Sequence, residues 1–134
     1  MATVRQAFPF EFVLMLGDNI YGGNSASDFQ TKFERPYKPM LDAGETPRAD
    51  VLKVAHHGSR TSTTEEFLSA VAPTFAIVSA GFENSYGHPH PDILDRLERH
   101  HAVVLRTDLD GLITVRSDGR RLFLGTYNGF LGGL

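Results

Sequence analysis

Ala49-Asp50-Val51-Leu52-Lys53-Val54-Ala55-His56-His57-Gly58-Ser59 is the stretch whose reading decides the fold. Its run Val51 to Ala55, apolar but for Lys53, reads as a strand, and it stops abruptly at two histidines, a glycine and a serine. Working downstream, Ser62 or Thr63 caps a helix, with Glu65 or Glu66 respectively at the third position. Phe67, Leu68 and Val71 form its apolar face, and Pro73 stops it. Phe75-Ala76-Ile77-Val78-Ser79 is the next strand, followed by a loop from Gly81 to His90. Pro91 suits the first position of a helix running to about His100, with Ile93, Leu94 and Leu97 inward. Ala102 to Leu105 is a strand, Asp110-Gly111 a turn, and Asp118-Gly119 closes a hairpin between Leu112–Val115 and Leu122–Leu124.

Upstream, Phe12-Val13-Leu14-Met15-Leu16 reads as a buried strand feeding Gly17-Asp18-Asn19. Ser25 caps a helix with Asp28 as its reciprocal partner, and Phe29 and Phe33 share a face. Pro36 interrupts, and Tyr37, Met40 and Leu41 begin a second short helical piece. The end, Gly125 to Leu134, is Gly-rich and reads as a loosely held tail. Strands alternating with helices predict an α/β fold over residues 1–134, a single domain with a mixed sheet, flanking helices and a C-terminal β-hairpin.

Composition narrows the function classes. With 134 residues, 41% hydrophobic and 22% charged, the chain can bury a core and is not a disordered segment. The net charge is −3 and the longest basic cluster is Arg120-Arg121, so the footprint of a stand-alone nucleic-acid binder is missing. The absence of cysteine excludes disulfides and thiolate metal sites. No apolar run reaches the ~20 residues of a membrane span, and Phe8 to Leu16 is too short and mixed for a signal segment. By itself the chain reads as soluble, and its address is unknown from the sequence.

In open α/β sheets, ligands sit beyond the carboxyl ends of the strands. Three such ends carry chemistry here. Successive strand side chains alternate, so if strand geometry persists at most one of His56 and His57 points into a site. Either would serve as a metal ligand or as a general acid. In Tyr86-Gly87-His88-Pro89-His90-Pro91, two imidazoles come from one Pro-flanked loop; His88 reads as a ligand, and His90 equally as a ligand or as the cap of the helix that Pro91 starts. Gly17-Asp18-Asn19-Ile20-Tyr21 offers a carboxylate, an amide and a phenol just past a strand, suited to a dinuclear centre or to an ordinary turn. Neutral imidazole suits zinc, manganese or iron. Asp108 could orient a histidine but reads more simply as part of a turn, and His100-His101 is read as structural.

Residues Arg48 to Leu122 resemble the carboxy-terminal part of the metallo-β-lactamase-fold domain of ComEC-type DNA-uptake proteins. The words that carry this are Ala49-Asp50-Val51-Leu52-Lys53-Val54 before His56-His57-Gly58-Ser59, then Pro73, Tyr86-Gly87-His88-Pro89-His90-Pro91, and Arg106-Thr107-Asp108 before Asp110-Gly111. Phe12 to Leu41 instead resembles a calcineurin-like metallophosphoesterase of the acid-phosphatase kind, through Leu16-Gly17-Asp18-Asn19-Ile20-Tyr21, Phe29, Phe33, Pro36-Tyr37 and Pro39. The chain therefore divides into 1–45, 46–124 and the tail 125–134, and reads as chimeric or truncated. The first resemblance implies a partial αββα sandwich and a metal-dependent phosphodiester hydrolase acting on a nucleic-acid or other phosphoester substrate, from a bacterial, membrane-associated parent. Asp18 is implied as the metal-bridging carboxylate under either family, with Asn19 and Tyr21 beside it, and His57, His88 and His90 as further ligands. His57 or His56 is implied as proton donor.

The main ligand word of the metallo-β-lactamase family, His-x-His-x-Asp-His, is absent, as are the phosphoesterase's Asp-x-His and Gly-Asn-His. Weak binding of divalent ions and little activity of this chain alone are expected. One sheet face should be under-covered, favouring a homodimer. Two other functions are carried. A phosphomonoesterase would depend on Asp18 and Tyr21 but not on His57. A non-catalytic interaction module would bind no metal.

Overall fold

The computed structural model describes residues 25–29, 31, 35, 48–127 and 129–133. The Gly17-Asp18-Asn19-Ile20-Tyr21 word, and with it Asp18, Asn19 and Tyr21, lies outside them, as do the strand expected over 12–16 and the helical piece at 37–41. Helix α1 (Ala26–Phe29) begins as expected. The Ser25 Oγ accepts the Asp28 N–H at 3.2 Å, and the Asp28 carboxylate accepts the Ser25 N–H at 3.2 Å, a reciprocal cap.

The main layer is a parallel sheet in the order β1 (Val51–Lys53), β2 (Phe75–Val78), β3 (Val103–Arg106). Helices α2 (Glu65–Val71) and α3 (Pro91–Arg99) are its crossovers. Parallel crossovers are right-handed almost without exception, and successive crossovers in one direction put both helices on one face. The register fits: Leu52, Ala76 and Val104 are aligned across the strands and share a face. That face builds the core with Val54, Val78, Leu68, Ile93, Leu97 and Ala102. The opposite face carries the rows Val51–Phe75–Val103 and Lys53–Ile77–Leu105, of which Val103 is half exposed and Val51, Phe75 and Ile77 half buried.

The cap of helix α2 falls two residues after Ser62 and one after Thr63, the expected caps. Thr64 is the cap, its Oγ1 accepting the Phe67 N–H at 3.2 Å. The cause is Thr63, which sits at φ 53°, outside any helical or capping conformation. Glu65 and Glu66 then fall in the first turn, where the helix dipole favours them. Ala72 ends the helix in the left-handed conformation before Pro73. Across the two helices, Glu65 receives Arg99 and His100, and Arg96 donates to the carbonyls of Ser62 and Thr63 at 3.2 and 2.6 Å. His100 is structural, as read from the sequence.

A helical turn, α4 (Thr107–Asp110), and Gly111 at φ 69° redirect the chain after β3. The expected single mixed sheet is therefore replaced by a parallel sheet and a separate antiparallel one, β4 (Thr114–Ser117), β5 (Leu122–Thr126), β6 (Gly129–Gly133). The hairpin at Asp118-Gly119 stands: Asp118 accepts the N–H groups of Arg120 and Arg121, and Gly119 takes φ 85°. Gly129–Gly133, in the segment read as a loose tail, instead pairs with β5. Strand pairing needs only backbone groups, and the open edge of β5 offers them. The fold is thus α/β with a parallel sheet and a hairpin sheet.

Candidate functional site

Parallel strands bring their carboxyl ends to one edge, so the two histidine loops meet by topology. At the end of β1, the Val54 N–H still donates to the Ile77 carbonyl at 2.8 Å. The chain then leaves strand geometry at Ala55–Gly58. His56 (φ 47°, ψ 42°), His57 (φ 54°, ψ 22°) and Gly58 (φ 78°) lie consecutively in the left-handed region. That conformation costs a residue with a side chain about 1–2 kcal/mol, although histidine visits it more often than most. The alternation argument, that only one of His56 and His57 can reach a site, therefore does not apply.

His57 Nδ1 lies 2.7 Å from the Ser79 carbonyl oxygen. A carbonyl only accepts, so Nδ1 carries the proton and, in the neutral ring, Nε2 carries the free lone pair. This is how a backbone carbonyl orients a metal-ligating or acid–base imidazole. His56 meets His88 edge to face, ring centres 6.0 Å apart at 71°.

The second loop is held by Asn84. Its Nδ2 donates to the carbonyls of Gly81 (3.0 Å) and His88 (2.6 Å), and its Oδ1 accepts the His88 N–H at 3.0 Å. The His88–Pro89 peptide is cis. The His90 N–H donates to the Gly58 carbonyl at 2.8 Å, tying the two loops together. His88 Nδ1 is buried with no hydrogen-bond partner among the described residues. An unpaired buried polar atom costs about 1–3 kcal/mol, and an ordered water or an ion is what relieves that cost at such a position. His90 is the cap of α3: its Nδ1 accepts the Asp92 N–H at 3.2 Å, and the Asp92 carboxylate stands 3.5 Å away.

The third strand end braces the second loop. Thr107 Oγ1 donates to the Ala80 carbonyl (2.8 Å) and accepts the Ala80 N–H (2.9 Å). Asp108 takes the Arg106 guanidinium in two bonds, 3.1 and 2.5 Å, rather than a histidine. Asp110 accepts the Arg106 N–H at 2.7 Å. Hydrogen bonds from Arg106, and then its charge, hold the Asp108 carboxyl below its ordinary value against the opposing effect of burial. A depressed folded-state value stabilises the fold above the unfolded value of about 3.9 and is lost as pH falls through the folded one. Asp108→Asn should therefore lower stability at pH 7, and its deficit against the parent should shrink toward pH 2 in paired urea titrations. An equal deficit at both pH values would show that the ion pair is not the cause.

Among the described residues, no three of His, Cys, Asp or Glu stand together so as to hold a metal ion. Imidazole nitrogens such as His57 Nε2 and His88 Nδ1 are of the donor type that suits zinc, manganese or iron. The sequence assigned no bracing role to Asn84, to Ser79 at its strand end or to Thr107 in the Arg106-Thr107-Asp108 word. Asn84 had a local signal: an Asn in a loop four residues before a histidine is a habitual binder of nearby backbone.

No family model matches the chain, and no solved structure does. It is 51% identical over 81 residues to ComE operon protein 3 of Bacillus subtilis, covering 60% of this chain and 10% of that protein. It is 43% identical over 65 residues to the competence protein ComA of Neisseria gonorrhoeae, 48% of this chain and 9% of that one. It is 44% identical over 68 residues to recombination protein 2 of Haemophilus influenzae, 51% of this chain and 9% of that one. The chain spans about a tenth of the length of these curated relatives. They support a likeness, over about half of this chain, to competence proteins of the ComEC type.

Proposed function

We propose that residues 48–124 form the carboxy-terminal part of a metal-dependent phosphodiester-hydrolase site of the DNA-uptake kind, within a partial αββα sandwich. The observation that carries this is the pairing of a histidine whose Nε2 is left free, His57, with a buried unpaired Nδ1 on His88 at the same sheet edge. His57 and His88 would hold a divalent ion, and by resemblance Asp18 would bridge, with Asn19 and Tyr21 beside it. When bound, the ion supplies a Lewis acid and an activated water. The chain's own histidines do the proton work: where His57 holds the ion through Nε2, His56 donates to the leaving ester oxygen, and His57 is the donor only where it is protonated at Nε2 and stays off the ion. The Ser79 carbonyl fixes which nitrogen of His57 faces the substrate, and the Asn84 clasp holds the His88 backbone in place.

A second reading, a non-catalytic module, is favoured by the missing third donor among the described residues. One experiment separates them. Manganese or zinc is titrated calorimetrically at neutral pH, and a bis-aryl phosphate is then supplied. The phosphodiesterase reading expects weak binding, slow hydrolysis, and affinity reduced at least about tenfold in His88→Ala, the size of effect seen when even an outer partner of a metal site is lost. Equal binding by His88→Ala sinks it, and no binding by the parent chain leaves the non-catalytic module.

A further inference from the structure

The loop that carries His88 also puts two large rings into water. Phe82 is 75% exposed and Tyr86 is 82% exposed. Scattered exposed aromatics are ordinary; placement sets Tyr86 apart. Its ring lies nearly parallel to that of His88, at 28° and 6.1 Å between centres, and His88 in turn meets His56 edge to face. Both His56 and Tyr86 thus neighbour the ring of His88, and both are exposed, Tyr86 the more open of the large rings on this loop. The loop beneath is fixed, by the three Asn84 bonds and by the tie from His90 to Gly58. The backbone that carries the ring is thus ordered before a ligand arrives, so stacking has only the two side-chain torsions of the tyrosine to fix.

Charge makes stacking the needed form of attraction. A net charge of −3, with no basic run longer than Arg120-Arg121, gives little hold on a polyanion. A base stacked on an aromatic ring supplies affinity that does not depend on the phosphates, and every base has a suitable face. Paired bases keep those faces covered inside the duplex, so the partner has to be unpaired. We propose that Tyr86 is a stacking subsite for an unpaired nucleobase next to the phosphodiester held at His57 and His88. This rests on the phosphodiesterase reading.

The chain has no tryptophan, so Tyr86→Trp installs a single indole reporter at the subsite. The probes are an oligothymidylate and an abasic oligomer of the same length, which carries the same phosphates without bases. Indole emission should change with the oligothymidylate and stay constant with the abasic oligomer. Tyr86→Ala should weaken binding of labelled oligothymidylate about tenfold or more and leave abasic binding unaltered. An equal response to both oligomers overturns the subsite. Cleavage of the oligothymidylate without an indole response also overturns it, while leaving the phosphodiesterase reading in place. A base-dependent response without cleavage by the parent chain upholds the subsite and removes the phosphodiesterase reading.

Discussion

Gly58→Ala should lower the stability of the fold by about 2–5 kcal/mol, more than any other single methyl added to the histidine loops. Two effects combine. Position 58 sits at φ 78°, where alanine is strained whatever the space around it. The added Cβ would also lie 2.6 Å from the Pro89 Cβ and 3.1 Å from its Cα. A proline ring and its own backbone cannot swing aside as a long side chain would, so the 81–90 loop has to shift. That movement would break the His90 N–H to Gly58 carbonyl bond and carry His88 away from His56. Paired urea denaturation of parent and variant measures the loss. A difference under about 0.5 kcal/mol, the range of an ordinary surface substitution, would mean that the loops do not pack as described.

This contact also shows where sequence reading reached and where it stopped. The apolar runs at 51–55 and 75–79, and the helical spacing of Ile93 and Leu97, were legible because burial imposes those periods directly, and Leu68, Ile93 and Leu97 are fully buried in the core. Pro91 as the first residue of a helix follows from a fixed φ and a missing N–H, both local properties. The left-handed turn at His56-His57-Gly58 was not legible. Only the glycine hints at it, and what holds two histidines there comes from elsewhere: Ser79 accepting from His57 and Pro89 packed against Gly58. The cap of α2 moved to Thr64 for a similar reason, since Ser62, Thr63 and Thr64 are all competent caps and the backbone of Thr63 decides among them. The split into two sheets depends on the turn after β3, where Asp110 binds back to the Arg106 N–H, a contact that composition does not announce. The site is legible to the same degree. The rings of His56 and His88 meet, with His57 beside His56 in the chain, and the role of His90 as a helix cap had been one of its two readings. The carboxylate, amide and phenol that should complete the site fall on residues outside those described.

His57→Asn should abolish most of the proposed hydrolysis, by about 10²–10⁴-fold, while changing stability by less than about 1 kcal/mol. The choice of asparagine isolates one atom. Its side-chain amide nitrogen falls close to the place of the imidazole Nδ1, so it can keep donating to the Ser79 carbonyl, now met at 2.7 Å. Asparagine also tolerates the left-handed backbone that residue 57 adopts at φ 54°. What it lacks is any counterpart of Nε2, the nitrogen that the Ser79 bond leaves free for a metal or a proton. His57→Ala is the contrast: it loses the Ser79 bond and keeps the strained backbone, so it should fall in stability as well as in activity. Denaturation midpoints and initial rates on a bis-aryl phosphate, measured for parent, His57→Asn and His57→Ala, separate the two contributions. Parent-like rates in His57→Asn would show that Nε2 takes no part in the chemistry, and would reduce His57 to a strut between the ends of β1 and β2. Parent-like stability with a collapsed rate would show the reverse: the left-handed turn, with its two histidines held against their conformational preference, exists to aim that one nitrogen.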